Sequence, residues 1–108
     1  MAQQSPTRTF PRFPFDSRVT VTTFRSGAKC CFWGRAANIS ESGLAATVTS
    51  ELNVGEPVTL QFFLGKDAVE VRASVRFKNG HFCGFEFLVL GEQVRAIIRK
   101  TCEQLRSR

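Results

Sequence analysis

The sequence predicts an all-β domain, a small six-stranded antiparallel β-barrel with a C-terminal α-helix. Three observations lead to this expectation. Hydrophobic and polar residues alternate in a series of short segments, turns rich in Gly, Asn and Ser separate these segments, and the pattern changes to a helical period after Gly91. We expect the strands to close into a barrel because closure hides the strand edges that would otherwise pair between molecules.

The length and composition are those of a single domain. The chain has 108 residues, of which 43% are hydrophobic, and this is enough for one core. Residues 1–7 are polar and have no hydrophobic period, so we expect them to form a flexible N-terminal tail. Residues 8–106 are then the barrel domain with its C-terminal helix.

The first four strands follow one another in order. The first is expected to begin at Phe13, where inward Phe and Val residues alternate with Asp, Arg and Thr, and to end at the turn "RSGAK". The second is expected over residues 30–37. The third is "LAATVTS", after "NISESG", and the fourth is "VTLQFFL", after "LNVGEP".

The fifth strand has the clearest alternation in the chain. Its apolar residues alternate with Glu, Arg and Ser, which is typical of a strand with one solvent-exposed face; they are Val69, Val71, Ala73, Val75 and Phe77. Asn79 and Gly80 tolerate the positive φ angles of a tight hairpin turn. We therefore expect a turn at "KNG" and a sixth strand at "HFCGFEFL".

The last segment has the pattern of an amphipathic helix. One stripe is apolar and the opposite face carries Arg, Lys and Glu; the stripe consists of Val94, Ile97, Ile98, Thr101 and Leu105. We expect this stripe to pack against the barrel or to close one of its ends.

The charge of the chain favours an anionic partner. Fifteen Lys and Arg residues against nine Asp and Glu residues leave a formal net charge of +6. Nucleic acids, nucleotides and membrane surfaces are the usual partners of such basic proteins. There is no recognisable signal peptide, and no apolar run approaches the roughly 18 residues of a membrane span. We therefore expect a cytoplasmic protein with reduced thiols.

The cysteines do not have the spacing of a metal site. Cys30, Cys31, Cys83 and Cys102 contain no C-x-x-C pair, and His81 is the only histidine. We expect no metal and no cofactor, and we expect all four cysteines to be buried as small hydrophobic residues.

The sequence favours binding over catalysis. General acid/base or nucleophilic catalysis needs a positioned base or an activated nucleophile, yet the chain has one histidine, no tyrosine and no recognisable nucleophile with a paired base. A Gly-rich phosphate loop of the Walker type is also absent from the sequence. We do not expect an enzyme.

Two short motifs supply the candidate binding residues. "RTFPR" carries Arg8 and Arg12 in a segment whose proline favours extended backbone, so these arginines do not share a helix face. "NISESG" lies between two predicted strands and offers the Asn38 amide, the Ser40 hydroxyl and the unhindered backbone of Gly43. Alone, the second motif is ordinary turn chemistry.

Together the two motifs resemble the PilZ family, which binds the bacterial second messenger cyclic di-GMP. Arg-x-x-x-Arg precedes the first strand and Asn-x-Ser-x-x-Gly stands between the second and third. "FPRFPFDSRVTV" and "GHFCGFEF" are similar to that family's first and last strands, so the resemblance covers roughly residues 8–105. Asn38 stands where the family more often has Asp, and the family accepts both.

The resemblance implies a receptor whose ligand-binding residues are Arg8, Arg12, Asn38, Ser40 and Gly43. It implies that the arginines fold over a ligand resting on the barrel, while the Asn and Ser side chains meet a guanine edge and a phosphate. A guanidinium can bind either group with two parallel hydrogen bonds. The sequence contains no output domain, so we expect the signal to pass to an unidentified effector protein.

Two alternatives remain. A small basic barrel could bind single-stranded nucleic acid on aromatic platforms such as Trp33, Phe82 or Phe85. We rank this second, because the RNA-recognition fold that "GHFCGFEF" faintly resembles needs two helices and the sequence predicts one. The other alternative is a PilZ-like protein-interaction module without a ligand. The intact motif residues Arg8, Arg12, Ser40 and Gly43 disfavour it.

Overall fold

The computed structural model describes residues 10–107 and confirms the predicted fold class. Six strands form a closed antiparallel barrel in the order β1-β2-β3-β6-β5-β4, and one helix follows them. The strands are β1 (Phe13–Arg25), β2 (Ala28–Ile39), β3 (Gly43–Val48), β4 (Pro57–Leu64), β5 (Asp67–Asn79) and β6 (Phe82–Phe87), and the helix is α1 (Glu92–Arg106).

Strand β1 closes the barrel because it pairs with β2 on one side and with β4 on the other. Its ladder with β4 is short and covers only residues 20–22 of β1. Side chains prolong this seam at both ends. The Ser17 hydroxyl accepts a 3.1 Å hydrogen bond from the Phe63 N–H, and the Thr23 hydroxyl donates a 2.9 Å hydrogen bond to the Glu56 carboxylate.

Tight turns join β1 to β2 and β5 to β6. Ser26 and Gly27, with φ angles of 54° and 78°, form the first. The prediction of Asn79 and Gly80 as the second turn is wrong by one residue. Asn79 is the last residue of β5, and the turn consists of Gly80, at a φ angle of 63°, and His81. Glycine adopts this left-handed conformation without the steric cost of a β-carbon.

Inward-facing side chains of the strands fill the barrel. The Phe62 ring lies at its centre, nearly parallel to the ring of Phe87 at 6.2 Å between centroids and edge-on to that of Phe15 at 6.4 Å. The largest fully buried side chains are Phe62, Phe85, Ile39, Leu44, Leu52, Leu60 and Ile98. Ile98 comes from α1, so the helix contributes to the same core as the strands.

Helix α1 packs on the barrel through the predicted stripe. Ile98 and Cys102 are buried, and Val94, Ile97 and Leu105 pack partly buried against the core. Two arginines add contacts to the barrel and its loops. Arg99 forms a 3.4 Å ion pair with Glu41, and the Arg106 guanidinium lies 5.9 Å from the centre of the Phe13 ring. Within residues 10–107, no helix has the length and apolarity needed to cross a membrane.

The four cysteines differ in environment, so the expectation that all are buried is wrong. Cys83 and Cys102 are buried, and burial raises the pKa of the Cys102 thiol to about 11. Cys30 is only partly buried and Cys31 is exposed. The two neighbours point to opposite faces of β2, close to its hairpin with β1. All four cysteines are free thiols.

Candidate ligand site at the ends of β2 and β3

The structure brings Arg12 of the first motif to Asn38 of the second. The Arg12 Nη1 group donates a 3.0 Å hydrogen bond to the Asn38 side-chain oxygen, across 26 residues of sequence. Strand pairing brings the two residues together, because Pro14, two residues after Arg12, pairs with Asn38 in the β1–β2 ladder. Arg8 lies outside the described residues, as do residues 1–7, for which we predict a flexible tail.

Asn38 belongs to β2 and not to the loop that the sequence predicts. The second strand runs through Ile39, two residues beyond the predicted end. Its ladders shift register on both sides just before Asn38, between Pro14 and Ser17 in β1 and between Ala36 and Asn38 against β3. Extra residues of this kind bend a strand and redirect its side chains. The bulges keep Ile39 in the core while Asn38 stays partly exposed.

Ser40 organises the loop between β2 and β3. Its hydroxyl oxygen accepts hydrogen bonds of 3.1 Å from the backbone N–H groups of Ser42 and Gly43, and its own N–H donates a 2.8 Å bond to the Gly43 carbonyl. The side chain is buried, with only 3% of the residue exposed. Ser40 therefore holds the loop shape from inside, as a serine turn does.

Gly43 is required by the packing of β3 on β6. It pairs with Glu86, and a β-carbon at position 43 would collide with the carbonyl oxygen of Phe85. Because the obstacle is backbone of a paired strand, it cannot rotate away. The glycine of the second motif therefore has a structural reason that does not depend on any ligand.

A floor of small residues continues outward from Asn38 across the barrel wall. Cross-strand pairing sets Asn38 beside Ala45, Ala45 beside Gly84, and Gly84 beside Phe77. The Phe77 ring covers Gly84, and a β-carbon at position 84 would overlap the ring. Phe77 itself remains 40% exposed. Arg76 and Glu86, joined by an ion pair, flank this row. The alternating pattern of β5 and β6 predicts each strand, but not that this row lies next to Asn38.

A groove of about 1240 Å³ opens between α1 and the barrel on the side of the β1 bulge. Pro14 and Ala37, the neighbours of Asn38 in the two strands, line its barrel side, and Lys100 and Gln104 line its helix side. Its volume is sufficient for a small-molecule ligand. In the part of the chain that the structure describes, no three His, Cys, Asp or Glu side chains lie close enough together to hold a metal ion.

The arrangement suits an anionic ligand with hydrogen-bonding edges. A half-buried guanidinium, a neutral amide with donors and an acceptor, and exposed backbone at a tight loop stand within one region. Arg recognises phosphates and planar acceptor edges through paired hydrogen bonds. The Asn38 amide oxygen is an uncharged acceptor for the Arg12 guanidinium, and a charged ligand oxygen in its place would bind the guanidinium more strongly.

Comparison with known proteins agrees with this architecture. The sequence matches the family model of the PilZ domain over residues 6–104. Comparison with curated proteins found no match. Among solved structures, the PilZ domain of CeSA from a cellulose-synthesizing bacterium has a TM-score of 0.68 at 17% identity, covering 89% of this chain and 98% of that one.

Two further structures are similar. The PilZ domain of Escherichia coli YcgR, determined with c-di-GMP, has a TM-score of 0.71 at 14% identity and covers 93% of this chain and 92% of that one. The Bacillus subtilis inhibitor of motility MotI/DgrA has a TM-score of 0.73 at 18% identity, covering 98% of this chain but 55% of that one. At such identities the likeness concerns the fold.

Proposed function

This chain belongs to the PilZ domain family, and on that premise we propose that it binds cyclic di-GMP as a non-enzymatic receptor that signals to a separate effector protein. The observation that supports the proposal best is the 3.0 Å hydrogen bond between Arg12 and Asn38, which joins the two motifs at one place on the barrel. The YcgR PilZ domain, which shares the fold, was determined with the same messenger.

In this proposal Arg12 contacts the ligand directly, and Arg8 acts beside it. The ligand has two phosphates and two guanines, and a guanidinium can meet a phosphate or the O6/N7 edge of guanine with two hydrogen bonds. The Asn38 amide would turn from Arg12 toward the Watson–Crick edge of a guanine, where the N1 and N2 groups are donors. The two side chains therefore exchange a mutual bond for bonds to the ligand.

Ser40 and Gly43 take different parts in the proposed site. The Ser40 hydroxyl is already bonded inside its loop, so it positions the loop backbone for the ligand. Gly43 keeps β3 close to β6, and this fixes the small-residue floor, whose Ala45 and Gly84 are buried. Phe77, partly exposed at the end of that floor, offers the base an aromatic contact.

Calorimetric titration of the full chain tests the proposal. We expect cyclic di-GMP to bind, and cyclic di-AMP and GMP to bind at least tenfold more weakly, which corresponds to about 1.4 kcal/mol. Guanine O6 is an acceptor where adenine N6 is a donor, so an arginine aimed at that edge discriminates between them. Equal affinity for the two cyclic dinucleotides, or no heat with either, would contradict the proposal.

The effector part of the proposal is tested separately. A partner that senses the receptor should bind it differently with and without messenger. If a candidate effector bound both forms with the same affinity, ligand recognition could stand while signalling through that effector would be rejected.

A further inference from the structure

Two arginines of α1 reach the two segments that carry the binding motifs. Arg99 forms a 3.4 Å ion pair with Glu41, which lies inside the second motif, "NISESG". The Arg106 guanidinium lies 5.9 Å from the centre of the Phe13 ring, and Phe13 directly follows the first motif, "RTFPR". One helix therefore contacts both halves of the candidate site.

The spacing of the two arginines places both contacts on one side of the helix. Seven residues are about two turns of an α-helix, so Arg99 and Arg106 project along the same edge of α1. Cys102 lies between them and is buried against the core. Burial is the main cause that raises the pKa of the Cys102 thiol, and the nearby Glu41 raises this pKa further while Arg106 lowers it. The two arginine contacts therefore flank one buried anchor of the helix.

The loop between β2 and β3 is held from two sides. On the barrel side, the Ser42 carbonyl accepts a 2.9 Å hydrogen bond from the Phe87 N–H. On the helix side, Glu41 bonds to Arg99 and has only 24% of its side chain exposed. Because Ser40 fixes the backbone inside the loop, the loop moves as a unit. Its position on the barrel therefore depends on where α1 docks.

The charge of Glu41 opposes an anionic ligand at this loop. Glu41 is the only carboxylate of the second motif, and like charges a few ångströms apart repel each other unless a counter-charge compensates them. The Arg99 guanidinium supplies that counter-charge and holds the carboxylate toward α1. Arg99 therefore both places the loop and removes a repulsion from the path of the ligand.

We infer that Arg99 and Arg106 are positioning residues of the ligand site, and that docking of α1 and binding of the messenger favour each other. This inference rests on the proposed function, because it concerns the regulation of that same site. We call the side chains of Arg99, Glu41, Arg106 and Phe13 the helix clamp. Its contacts are partly exposed, so each should change the affinity severalfold and not by orders of magnitude. Since coupling between two sites is reciprocal, a partner that draws α1 off the barrel would weaken messenger binding.

Calorimetric titration of matched variants tests the helix clamp. Arg99→Gln should weaken cyclic di-GMP binding about fivefold at about 50 mM salt and less at about 500 mM, since salt screens the repulsion by Glu41. Arg106→Gln should weaken binding about twofold to threefold through loss of the contact with the Phe13 ring. Arg95→Gln removes the same charge from an exposed position of α1 and should leave the affinity unchanged. Circular dichroism checks that each variant is folded.

A double variant separates this positioning role from a general loss of stability. Adding Glu41→Gln to Arg99→Gln removes the uncompensated carboxylate, so the double variant should bind cyclic di-GMP about twofold or more tighter than Arg99→Gln alone. If the ion pair only stabilised the fold, the second change would not restore binding.

The buried thiol of Cys102 reports the docking of α1. Because Cys102 is buried, a maleimide reaches it only when the helix opens locally, and mass spectrometry of peptides distinguishes it from the other thiols. Saturating cyclic di-GMP should slow the modification of Cys102 severalfold in the wild type and less in Arg99→Gln, as reciprocal coupling requires.

Three results would overturn the inference. They are equal messenger affinities of Arg99→Gln and Arg95→Gln, no recovery in the double variant, and a rate of Cys102 modification that the messenger does not change. If the wild type binds no cyclic di-GMP, the proposed function fails, and amide hydrogen exchange of the free protein decides on the helix clamp. Faster exchange of the Ser42 and Gly43 N–H groups in Arg99→Gln than in Arg95→Gln would support the clamp, and equal exchange would overturn it.

Discussion

Two arginines of this barrel, Arg25 and Arg12, hold polar clusters of opposite design. Arg25 is bonded to the Glu56 carboxylate through two nitrogens, at 3.1 and 3.2 Å, and to a backbone carbonyl. Thr23 and the Asn53 N–H also donate to Glu56. Arg12 instead donates to the neutral amide of Asn38. The first cluster closes the seam between β1 and β4, and the second stands at the candidate ligand site.

The difference shows how to distinguish a structural arginine from a recognition arginine. The hydrogen bond from Arg25 is the main cause that lowers the pKa of Glu56 to about 2. The carboxylate and the guanidinium therefore compensate each other's charge within the fold. At the candidate site, the Asn38 amide positions the Arg12 guanidinium through a hydrogen bond to an uncharged oxygen. Loss of Arg25 or Glu56 should therefore reduce stability, whereas loss of Arg12 should reduce binding and leave the fold intact.

The largest effect is expected from Gly43→Ala, which tests whether the motif glycine is structural. The new β-carbon would collide with the Phe85 carbonyl, and overpacking against backbone should destabilise the domain by about 2–3 kcal/mol. Urea unfolding of the variant and the wild type measures this loss of stability. Gly91→Ala is the matched control, because nothing lies within 4 Å of a β-carbon there. Wild-type stability in Gly43→Ala, with loss of messenger binding, would instead assign Gly43 to the ligand.

The second prediction concerns acid stability. Glu56 has a pKa of about 2 in the fold against 4.5 for the free group, so its contribution is complete above pH 4.5 and is lost as the pH falls toward 2. We expect the free energy of unfolding to drop by about 2 kcal/mol over that window, after allowance for the partial exposure of Arg25.

Glu56→Gln should remove most of this acid dependence while lowering stability at pH 7. Glu103→Gln, at an exposed position of α1, should leave the dependence unchanged. If the free energy of unfolding fell equally with pH in wild type and in Glu56→Gln across pH 2–5, the Arg25–Glu56 pair would contribute nothing to closing the seam between β1 and β4.

The third prediction tests the recognition arginine. Arg12→Ala should weaken cyclic di-GMP binding roughly tenfold or more, and Arg12→Lys should recover only part of it, because an ammonium lacks the planar fork. Calorimetry gives the affinities. The melting temperatures of both Arg12 variants should agree with that of the wild type within a few degrees. The control variant Arg95→Gln should bind cyclic di-GMP with wild-type affinity. Destabilisation by Arg12→Ala as large as that by Arg25→Ala would erase the distinction between the clusters.

The smallest effect is expected from Asn38→Asp. A carboxylate accepts the guanine N1 and N2 donors with charge-assisted bonds, so messenger affinity should be preserved or rise severalfold. The variant also makes the Arg12 partner resemble that of Arg25, and the thermal midpoint should rise slightly. A loss of binding would show that the Asn38 amide acts as a donor, or that phosphate repels the carboxylate.

Much of the architecture could be predicted from the sequence. The period of two in "VEVRASVRF" and the stripe that includes Ile97 and Ile98 indicate which side of each element faces the core, since burying the apolar side removes the most apolar surface from water. The site was predicted less completely. The two motifs mark Arg12 and Asn38, but Ala45, Gly84 and Phe77 carry no local signal of their position beside them.

By itself, then, the sequence determined the six strands, the helix and their inward faces, because those follow from interactions between residues close in the chain. Only the tertiary structure decided that β1 pairs with both β2 and β4, that bulges bring Asn38 into β2 beside Arg12, and that Trp33 faces outward next to Arg18. These features depend on register between distant strands. A shift of one residue reverses every side chain of a strand, and only the packing of the closed barrel selects among the registers.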